Sequence, residues 1–278
     1  MRLLACAFLV TASNAGFLSY ELRQNKLRTS VGKTSLGAEY VPGSDGTYAQ
    51  NYQDKWIAAV ARHNGWDQTG GFFLDLGAFD GLKCSNTALV EKTFGWQGIC
   101  VEPRPVLGAF NQRSCILVER ALSDETGKKV KFYGTPGSQI QHIGRQSMNS
   151  THDLGEVIET LNIPDLLSCV NSPQEAQGRC HGVHGHTPIP SFINFISVDV
   201  EGQGWNVLKK FPFDTVKVGA WIVEHPSAPE QDILKKHGYI DVPVQNPGVD
   251  RYYIQPQFWD DSLVQKDWRI HPPGSSGC

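Results

Sequence analysis

The sequence predicts an α/β protein whose central sheet is mostly parallel. Short apolar runs end in glycine or an acidic residue, and helix-compatible stretches separate them along the chain. Strands that alternate with helices form βαβ units, because parallel neighbours need a crossover connection. With 278 residues, 40% apolar and 19% charged, the chain has the size and composition of one large or two small globular domains. The same composition excludes disordered, collagen-like and coiled-coil proteins.

The first half of the folded region shows this alternation in order. A helical period over 53–64 precedes the first apolar run, 71–77, which predicts a strand that closes on a glycine turn. A helix-compatible stretch from about 85 to 93 comes next. Two further strands are expected at 98–103 and 115–121, the second of them before a turn.

The second half contains a gap in the pattern between 134 and 190. This stretch is rich in Gly, Ser, Gln, Asn and His and holds one helix-like island near 154–167, so we expect a functional or disordered insert. Regular elements return after it. They are a strand at 192–202, a helix through Lys210, a strand at 218–224, a helix near 229–237, and a hairpin formed by 239–245 and 251–255.

The amino terminus has the layout of a secretory signal peptide over residues 1–15. A charged start leads into an apolar run at 3–10, and small residues follow at Ser13 and Ala15. An uncleaved membrane anchor through residues 3–18 is the alternative. That segment is shorter than the roughly 20 apolar residues that a spanning helix needs.

These boundaries divide the chain into four parts. After the signal peptide comes a polar arm at 16–50, then a domain at 51–262 that carries the insert at 134–190, and finally a tail at 263–278.

Cysteine content and charge indicate the compartment and the class of partner. Of the 7 cysteines, Cys6 would leave with the signal, and an even set remains, which favours disulfides in an oxidising secretory compartment. The glycosylation sequon at Asn149 agrees with that address. A formal net charge of −3 argues against nucleic-acid binding.

A candidate binding motif follows the first strand. Asp75 to Gly81 form the pattern D-x-G-x-x-x-G at its carboxyl end, where open α/β sheets bind ligands. Glycine at 77 and 81 lets a ligand approach the backbone closely. Glu102, at the end of the next strand, has the acceptor atoms for both hydroxyls of a ribose. The motif therefore predicts a nucleoside-bearing ligand, with a plain tight turn and a solvated strand end as the alternatives.

The motif lacks the G-x-G-x-x-G spacing of dinucleotide-binding enzymes. A nicotinamide-dependent oxidoreductase is therefore disfavoured.

Four segments taken together resemble the FkbM family of S-adenosylmethionine-dependent methyltransferases. They are Asp75 to Gly81, Trp96 to Pro103, Arg120 to Asp124 and Ser197 to Gly202. The resemblance implies a class I, Rossmann-like fold, with a seven-stranded mostly parallel sheet, helices on both faces and an antiparallel C-terminal hairpin. It also implies S-adenosyl-L-methionine as cofactor and methylation of a hydroxyl oxygen.

The resemblance further implies roles for single residues. The cofactor-binding positions are Asp75, Gly77, Ala78, Gly81, Glu102, Ala121, Leu122 and Asp199. Of these, Asp75, Gly77 and Gly81 would shape the methionine end of the cofactor, and Glu102 would hold the ribose hydroxyls. Ala121 and Leu122 would flank the adenine, and Asp199 would lie beside the methyl group.

Catalysis of methyl transfer depends mostly on alignment of donor and acceptor in a dry site. A hydroxyl acceptor also has to lose its proton, and Asp199 is the first candidate for the general base, followed by Glu201 and His225. The alternative for Asp199 and Glu201 is a purely structural role at the start of a helix near Gln203, since acids favour helix N-termini.

The motif from Cys180 to His186 lies outside the resemblance. It holds one cysteine and three histidines, which are potential metal ligands. Because the spacing matches neither a helix nor a zinc knuckle, we favour a glycine-rich loop near the acceptor site and predict no metal. Acceptor specificity is expected in this loop.

Two functions fit these observations. The first is a lumenal or secreted O-methyltransferase that acts on a small molecule, a glycan or a lipid. The second is a catalytically inactive protein on the same fold that serves binding or trafficking in the secretory pathway. The first is favoured by the presence of Asp75, Gly77, Gly81, Glu102 and Asp199. The sequence leaves the oligomeric state open.

Overall fold

A large sheet and a smaller one contain the strands of the protein. The computed structural model describes residues 46–134, 141–143, 152–172, 180–244 and 249–265. The strands are β1 (Phe72–Leu76), β2 (Gln97–Val101), β3 (Ile116–Val118), β4 (Ala121–Leu122), β5 (Lys129–Gly134), β6 (Gln141–Ile143), β7 (His152–Leu161), β8 (Phe192–Val198), β9 (Lys217–Glu224), β10 (Ile240–Asp241) and β11 (Asp250–Ile254). The helices are α1 (Gln53–His63), α2 (Trp66–Thr69), α3 (Ala88–Phe94), α4 (Leu107–Phe110), α5 (Ile163–Asn171), α6 (Gly204–Leu208), α7 (Ala228–Lys236) and α8 (Ser262–Gln265).

Several sequence predictions concern residues outside this description. They are the signal peptide at 1–15, nearly all of the polar arm at 16–50, the sequon at Asn149 and nearly all of the tail at 263–278.

The large sheet has seven strands in the order β10-β11-β9-β8-β1-β2-β3. Five neighbouring strands of this sheet run parallel to one another, namely β9, β8, β1, β2 and β3. Strand β11 is antiparallel to β9, and β10 is antiparallel to β11. The predicted α/β fold with a mostly parallel sheet and an antiparallel C-terminal hairpin is confirmed. The direction of the crossovers reverses at β1, which has β2 on one side and β8 on the other.

Helices cover both faces of the large sheet, and β1 shows how. Every residue of β1 is buried, as expected for a strand with covered faces. Leu74 and Leu76 pack into a cluster with residues of α5, α6 and α7, whereas Phe73 between them packs into a cluster with residues of α1, α2 and α3. This alternation follows from the two-residue period of a strand, and each large side chain buried in this way contributes about 1.5–3 kcal/mol.

The small sheet has the order β4-β7-β5-β6 and includes much of the expected insert. β7 runs antiparallel to β5 and parallel to β4. The prediction of a helix near 154–167 is wrong for its first part, because β7 occupies 152–161. It is confirmed for the rest, where α5 is helical. Asn162 separates the two elements, since its side chain accepts a hydrogen bond from the Asp165 N–H (2.8 Å) and caps α5.

Two disulfides fix neighbouring elements. Cys100 on β2 is bonded to Cys115, which directly precedes β3, and Cys169 on α5 is bonded to Cys180. These bonds fit the predicted oxidising, secreted or lumenal environment. Among the helices described, none has the length and apolar character that crossing a membrane requires.

The segment after Cys180 lies along the edge of β3. The Glu119 N–H donates to the Gly182 carbonyl (2.8 Å), and the His184 N–H donates to the Leu117 carbonyl (2.9 Å). Val183 forms an antiparallel bridge with Val118. The expected glycine-rich loop is therefore held to the large sheet by backbone hydrogen bonds.

Candidate functional site

A pocket of about 290 Å³ opens at the carboxyl ends of the parallel strands. It lies where the strand order reverses between β1 and β8, which is the place where open α/β sheets bind ligands. The predicted cofactor positions in its wall are Asp75, Gly77, Ala78, Glu102, Ala121 and Leu122. The predicted catalytic residues Asp199 and Glu201 also line it.

Gly77 makes the tight junction between β1 and β8. Its φ is +90°, and a Cβ at this position would overlap the carbonyl oxygen of Asp199. The N–H groups of Gly77 and Ala78 both donate to the Val101 carbonyl (2.9 and 3.0 Å), while the Asp199 N–H donates to the Leu76 carbonyl (2.8 Å). The glycine is therefore required by space as well as by backbone conformation.

Gly81 lies in the turn after β1, next to Phe110. Its φ is +86°, and a Cβ there would press against the Phe110 ring at 2.8 Å. It closes the turn after β1 but is not among the residues that line the pocket.

Glu102 follows β2 directly, and its carboxylate holds the turn after β1 against the pocket wall. One oxygen accepts the Phe79 N–H (2.9 Å), and the other accepts the Arg104 N–H (2.8 Å). Burial raises the pKa of Glu102 to about 7, although the two backbone donors act in the opposite direction. A carboxylate has about four lone-pair sites, so two acceptor positions remain for hydroxyls of a ligand.

Asp75 is buried at the base of the pocket and belongs to a network of paired charges. Its carboxylate accepts hydrogen bonds from Thr87 Oγ1 (2.6 Å) and Ser85 Oγ (3.3 Å). Arg113 donates to Thr87 Oγ1 (2.9 Å) and forms an ion pair with Glu91 (3.1 Å). Burial raises the pKa of Asp75, and the charge of Arg113 acts against that rise.

A cluster of acids, Asp199, Glu201 and Glu224, occupies another part of the pocket wall. Asp199 directly follows β8, and Glu224 ends β9, the next parallel strand. Oxygens of the three carboxylates all lie within 4.8 Å of one another. Glu201 has a φ of +47°, an uncommon conformation for a residue with a Cβ.

Burial and a neighbouring carboxylate raise the pKa of both Asp199 and Glu201. Burial, followed by the neighbouring Glu224, raises the pKa of Asp199 well above its usual value. The same two causes raise the pKa of Glu201 to about 7. Asp250 pairs in register with Glu224, and burial raises its pKa to about 6.

This cluster has two chemical capabilities. A carboxylate with a raised pKa is a suitable general base for a hydroxyl at neutral pH. Three convergent carboxylates also provide the oxygen ligands that hard divalent cations prefer. Within the described ranges, Asp199, Glu201 and Glu224 are the group whose spacing suits a cation.

His225 does not join the site. Its side chain is exposed, its N–H donates to the Val249 carbonyl (3.1 Å), and it is not part of the pocket wall. It acts on the site from outside, through an electrostatic interaction that lowers the pKa of Asp250.

Polar pocket residues that the predicted site does not include are, among others, Gln50, Gln53, Glu224 and Asp250. Glu224 carries a signal that sequence alone provides, since it is an acid at the end of a predicted strand, as Asp199 is. The other three depend on long-range pairing.

The histidines of the Cys180–His186 motif lie against acids of the small sheet and of the edge of β3. His181 Nε2 is 3.1 Å from a carboxylate oxygen of Glu159, and His184 Nε2 is 2.7 Å from one of Glu119. Arg120 also contacts the His181 ring and its carbonyl. In the part of the chain that the structure describes, the motif does not converge on a ligand set.

Comparison with protein-family models, with curated proteins and with solved structures finds no match to this chain.

Proposed function

We propose that the protein is an S-adenosyl-L-methionine-dependent methyltransferase that methylates a hydroxyl oxygen of a small molecule, glycan or lipid. One observation carries the proposal. The residues that the FkbM resemblance assigns to the cofactor come from β1, β2, β4 and β8, and most of them line a single pocket at the switch in strand order.

The shape and polarity of the wall support a nucleoside ligand. The close approach of backbone at Gly77 leaves space without a side chain, and Glu102 retains acceptor positions for ribose hydroxyls. Ala121 and Leu122 offer a small apolar surface that suits an adenine ring. The five parallel strands with a reversed C-terminal hairpin support the class I, Rossmann-like architecture.

S-adenosyl-L-methionine would supply a methyl group to an acceptor oxygen, with its sulfonium becoming a neutral thioether. In this proposal the Asp199 carboxylate takes the proton of that acceptor. Glu201 and Glu224, by raising the pKa of Asp199, make it a stronger base than an isolated aspartate. The pocket wall would orient the two reactants.

The alternative is a catalytically inactive binding or trafficking protein of the secretory pathway. The disulfides Cys100–Cys115 and Cys169–Cys180 favour this second function, because an oxidising lumen lies apart from the cytosol, where the methyl donor is made.

Calorimetric titration with S-adenosyl-L-methionine and with its demethylated product separates the two functions. We expect micromolar binding that Glu102→Ala weakens by about 1.5–3 kcal/mol, because a charged hydrogen-bond acceptor is lost. Glu125→Ala, at an exposed carboxylate, is the control. Unchanged affinity in Glu102→Ala contradicts the ribose assignment, and no binding to folded wild-type protein favours the inactive alternative.

Turnover tests the general base. With Asp199→Asn, release of the demethylated product in the presence of hydroxyl acceptors should fall by about 100-fold or more, while cofactor affinity changes little. Full residual activity excludes Asp199 from this role.

A further inference from the structure

Residues Thr47 to Gln53 form a wall of the pocket. This segment leads into α1 and ends at the first residue of that helix. Gln50 and Gln53 both line the pocket, and the Gln53 side chain is almost fully buried. The segment begins inside the polar arm expected at 16–50, so the pocket includes one residue, Gln50, that lies outside the domain expected at 51–262.

Asp54 holds this segment in place. Its fully buried carboxylate accepts hydrogen bonds from Thr47 Oγ1 (2.6 Å) and from the N–H groups of Tyr48 (2.7 Å) and Ala49 (3.3 Å). It also accepts the Lys55 N–H (2.8 Å) at the start of α1. Four donors on one carboxylate make it the anchor of the turn, because burial leaves it no water to bind.

Gln53 connects the segment to the acids of the pocket. Its carbonyl oxygen accepts the Asn51 N–H (2.6 Å), and its amide donates to Asp250 (2.5 Å), which is paired in register with Glu224. The segment therefore ends beside Asp199, Glu201 and Glu224. The proposed nucleoside would lie in another part of the pocket. That part is lined by Glu102, which directly follows β2, and by Ala121 and Leu122, which form β4.

We propose that the segment Thr47 to Gln53 is the wall of the methyl-acceptor half of the pocket, an inference that rests on the proposed function. Asp54 is its positioning residue, and Gln53 with Asp250 sets acceptor specificity. The groups that this half presents are amides and carboxylates. They favour a neutral or positively charged polar acceptor, which donates hydrogen bonds to them, and they repel an acidic one.

The first experiment tests the wall without any ligand. Asp54→Asn keeps one acceptor oxygen and replaces the other with an NH₂ donor, so either the Tyr48 and Ala49 amides or the Lys55 amide with Thr47 Oγ1 lose their acceptor. Hydrogen–deuterium exchange should accelerate by about tenfold or more at the Tyr48 and Ala49 amides or at the Lys55 amide. Asp232→Asn, an exposed aspartate on α7, is the matched control and should exchange like the wild type. Unchanged exchange in Asp54→Asn overturns its positioning role.

The second experiment compares two probes of the cofactor site by calorimetry. One is S-adenosylhomocysteine, and the other is an analogue that carries an ammonium group at the position of the methyl group. The wild type should bind the ammonium analogue more tightly. Asp250→Asn retains the contact with Gln53 but removes the charge, so the analogue should lose about fivefold in affinity. Asp54→Asn should have the same selective effect, with S-adenosylhomocysteine changed less than about twofold.

The outcomes separate this inference from the proposed function. Equal losses for both probes would place the segment beside the cofactor, and no loss for the analogue would place it away from the methyl position; either result overturns the inference. If the wild type binds neither probe, the proposed function fails and the acceptor assignment fails with it. In that case the exchange experiment still shows whether Asp54 builds this wall.

Discussion

Two groups of carboxylates lie at the pocket, and they differ in whether a cation is paired with them. Asp75 and Glu91 are buried with Arg113; the hydroxyls of Ser85 and Thr87 donate to Asp75, and Glu91 forms an ion pair with Arg113. Within the described residues, no ion pair joins any member of the acid cluster Asp199, Glu201 and Glu224 to a cation, and Glu224 raises the pKa of both Asp199 and Glu201.

The difference shows which charges serve folding and which serve a ligand. A buried charge that lacks a partner destabilises the fold, so a purely structural carboxylate is normally paired. Carboxylates that remain uncompensated in a pocket are typical of sites where a ligand or a transferred proton supplies the missing charge.

Removing the cation of the compensated group should have the largest effect. Arg113→Met leaves Asp75 and Glu91 buried without their partner, and we expect a loss of about 3–5 kcal/mol in the free energy of unfolding. Urea denaturation measures it. Lys236→Met, at an exposed lysine on α7, is the control. A loss no greater than that of the control would show that these charges are not held by Arg113.

Gly77 joins β1, the strand of Asp75, to the turn that begins at Asp199. Gly77→Ala should cost about 2–4 kcal/mol, because an unfavourable φ and an overlap with a carbonyl oxygen add together. Gly127→Ala has a similar φ, +81°, and open space around its Cβ, so we expect only about 1 kcal/mol there. Thermal unfolding compares the two variants, and equal losses would contradict the steric part of this account.

The acid cluster should make stability fall as pH rises. The pKa of Glu201 is about 7 in the folded protein against 4.5 as the ordinary value, so the folded state holds the proton over that interval. Relative to wild type, Glu201→Gln should therefore gain stability between about pH 4.5 and 7 and stay constant above. Because the side chain is partly exposed, the gain is on the order of 1 kcal/mol. Denaturation of both proteins at pH 5 and pH 8 measures this difference in the free energy of unfolding. If the variant is no more stable than the wild type at either pH, the acid cluster does not destabilise the fold.

The smallest expected effect is the pH dependence that Glu102 gives to ligand affinity. The pKa of Glu102 is about 7, and a ribose hydroxyl donates best to the ionised form. The affinity for S-adenosylhomocysteine should rise by about threefold from pH 6 to pH 8, since the protonated acid still accepts one hydrogen bond. Glu102→Gln should remove this dependence. A wild-type affinity that is flat with pH would argue against contact between Glu102 and the ligand.

Sequence predicts the parts of the site whose signals are local. β1 and β8 are apolar runs that end in an acid or a glycine, and the turn at Gly77 follows from a single residue type. β7 is different, because 152–161 lies in a stretch whose apolar spacing also fits a helix. Pairing with β4 and β5 decides between the two, and that pairing is a tertiary effect.

The wall at Thr47 to Gln53 had no local signal. Its contact with the pocket depends on a hydrogen bond between Gln53 and Asp250, 197 residues apart, which no short window of sequence can show. The acid cluster is intermediate. Asp199 and Glu201 were predicted from the resemblance, whereas Glu224 joined them because β9 pairs with β8.

The seam between β1 and β8 has a consequence for the order of folding. The hydrogen bond of the Phe72 N–H to the side chain of Asn194 joins residues 122 positions apart, whereas the disulfides Cys100–Cys115 and Cys169–Cys180 close loops with separations of 15 and 11. Short loops close early and long-range strand pairing comes late. These two disulfides can thus form before β1 and β8 pair, and the pocket forms last, so that a ligand bound there would stabilise only the completed fold.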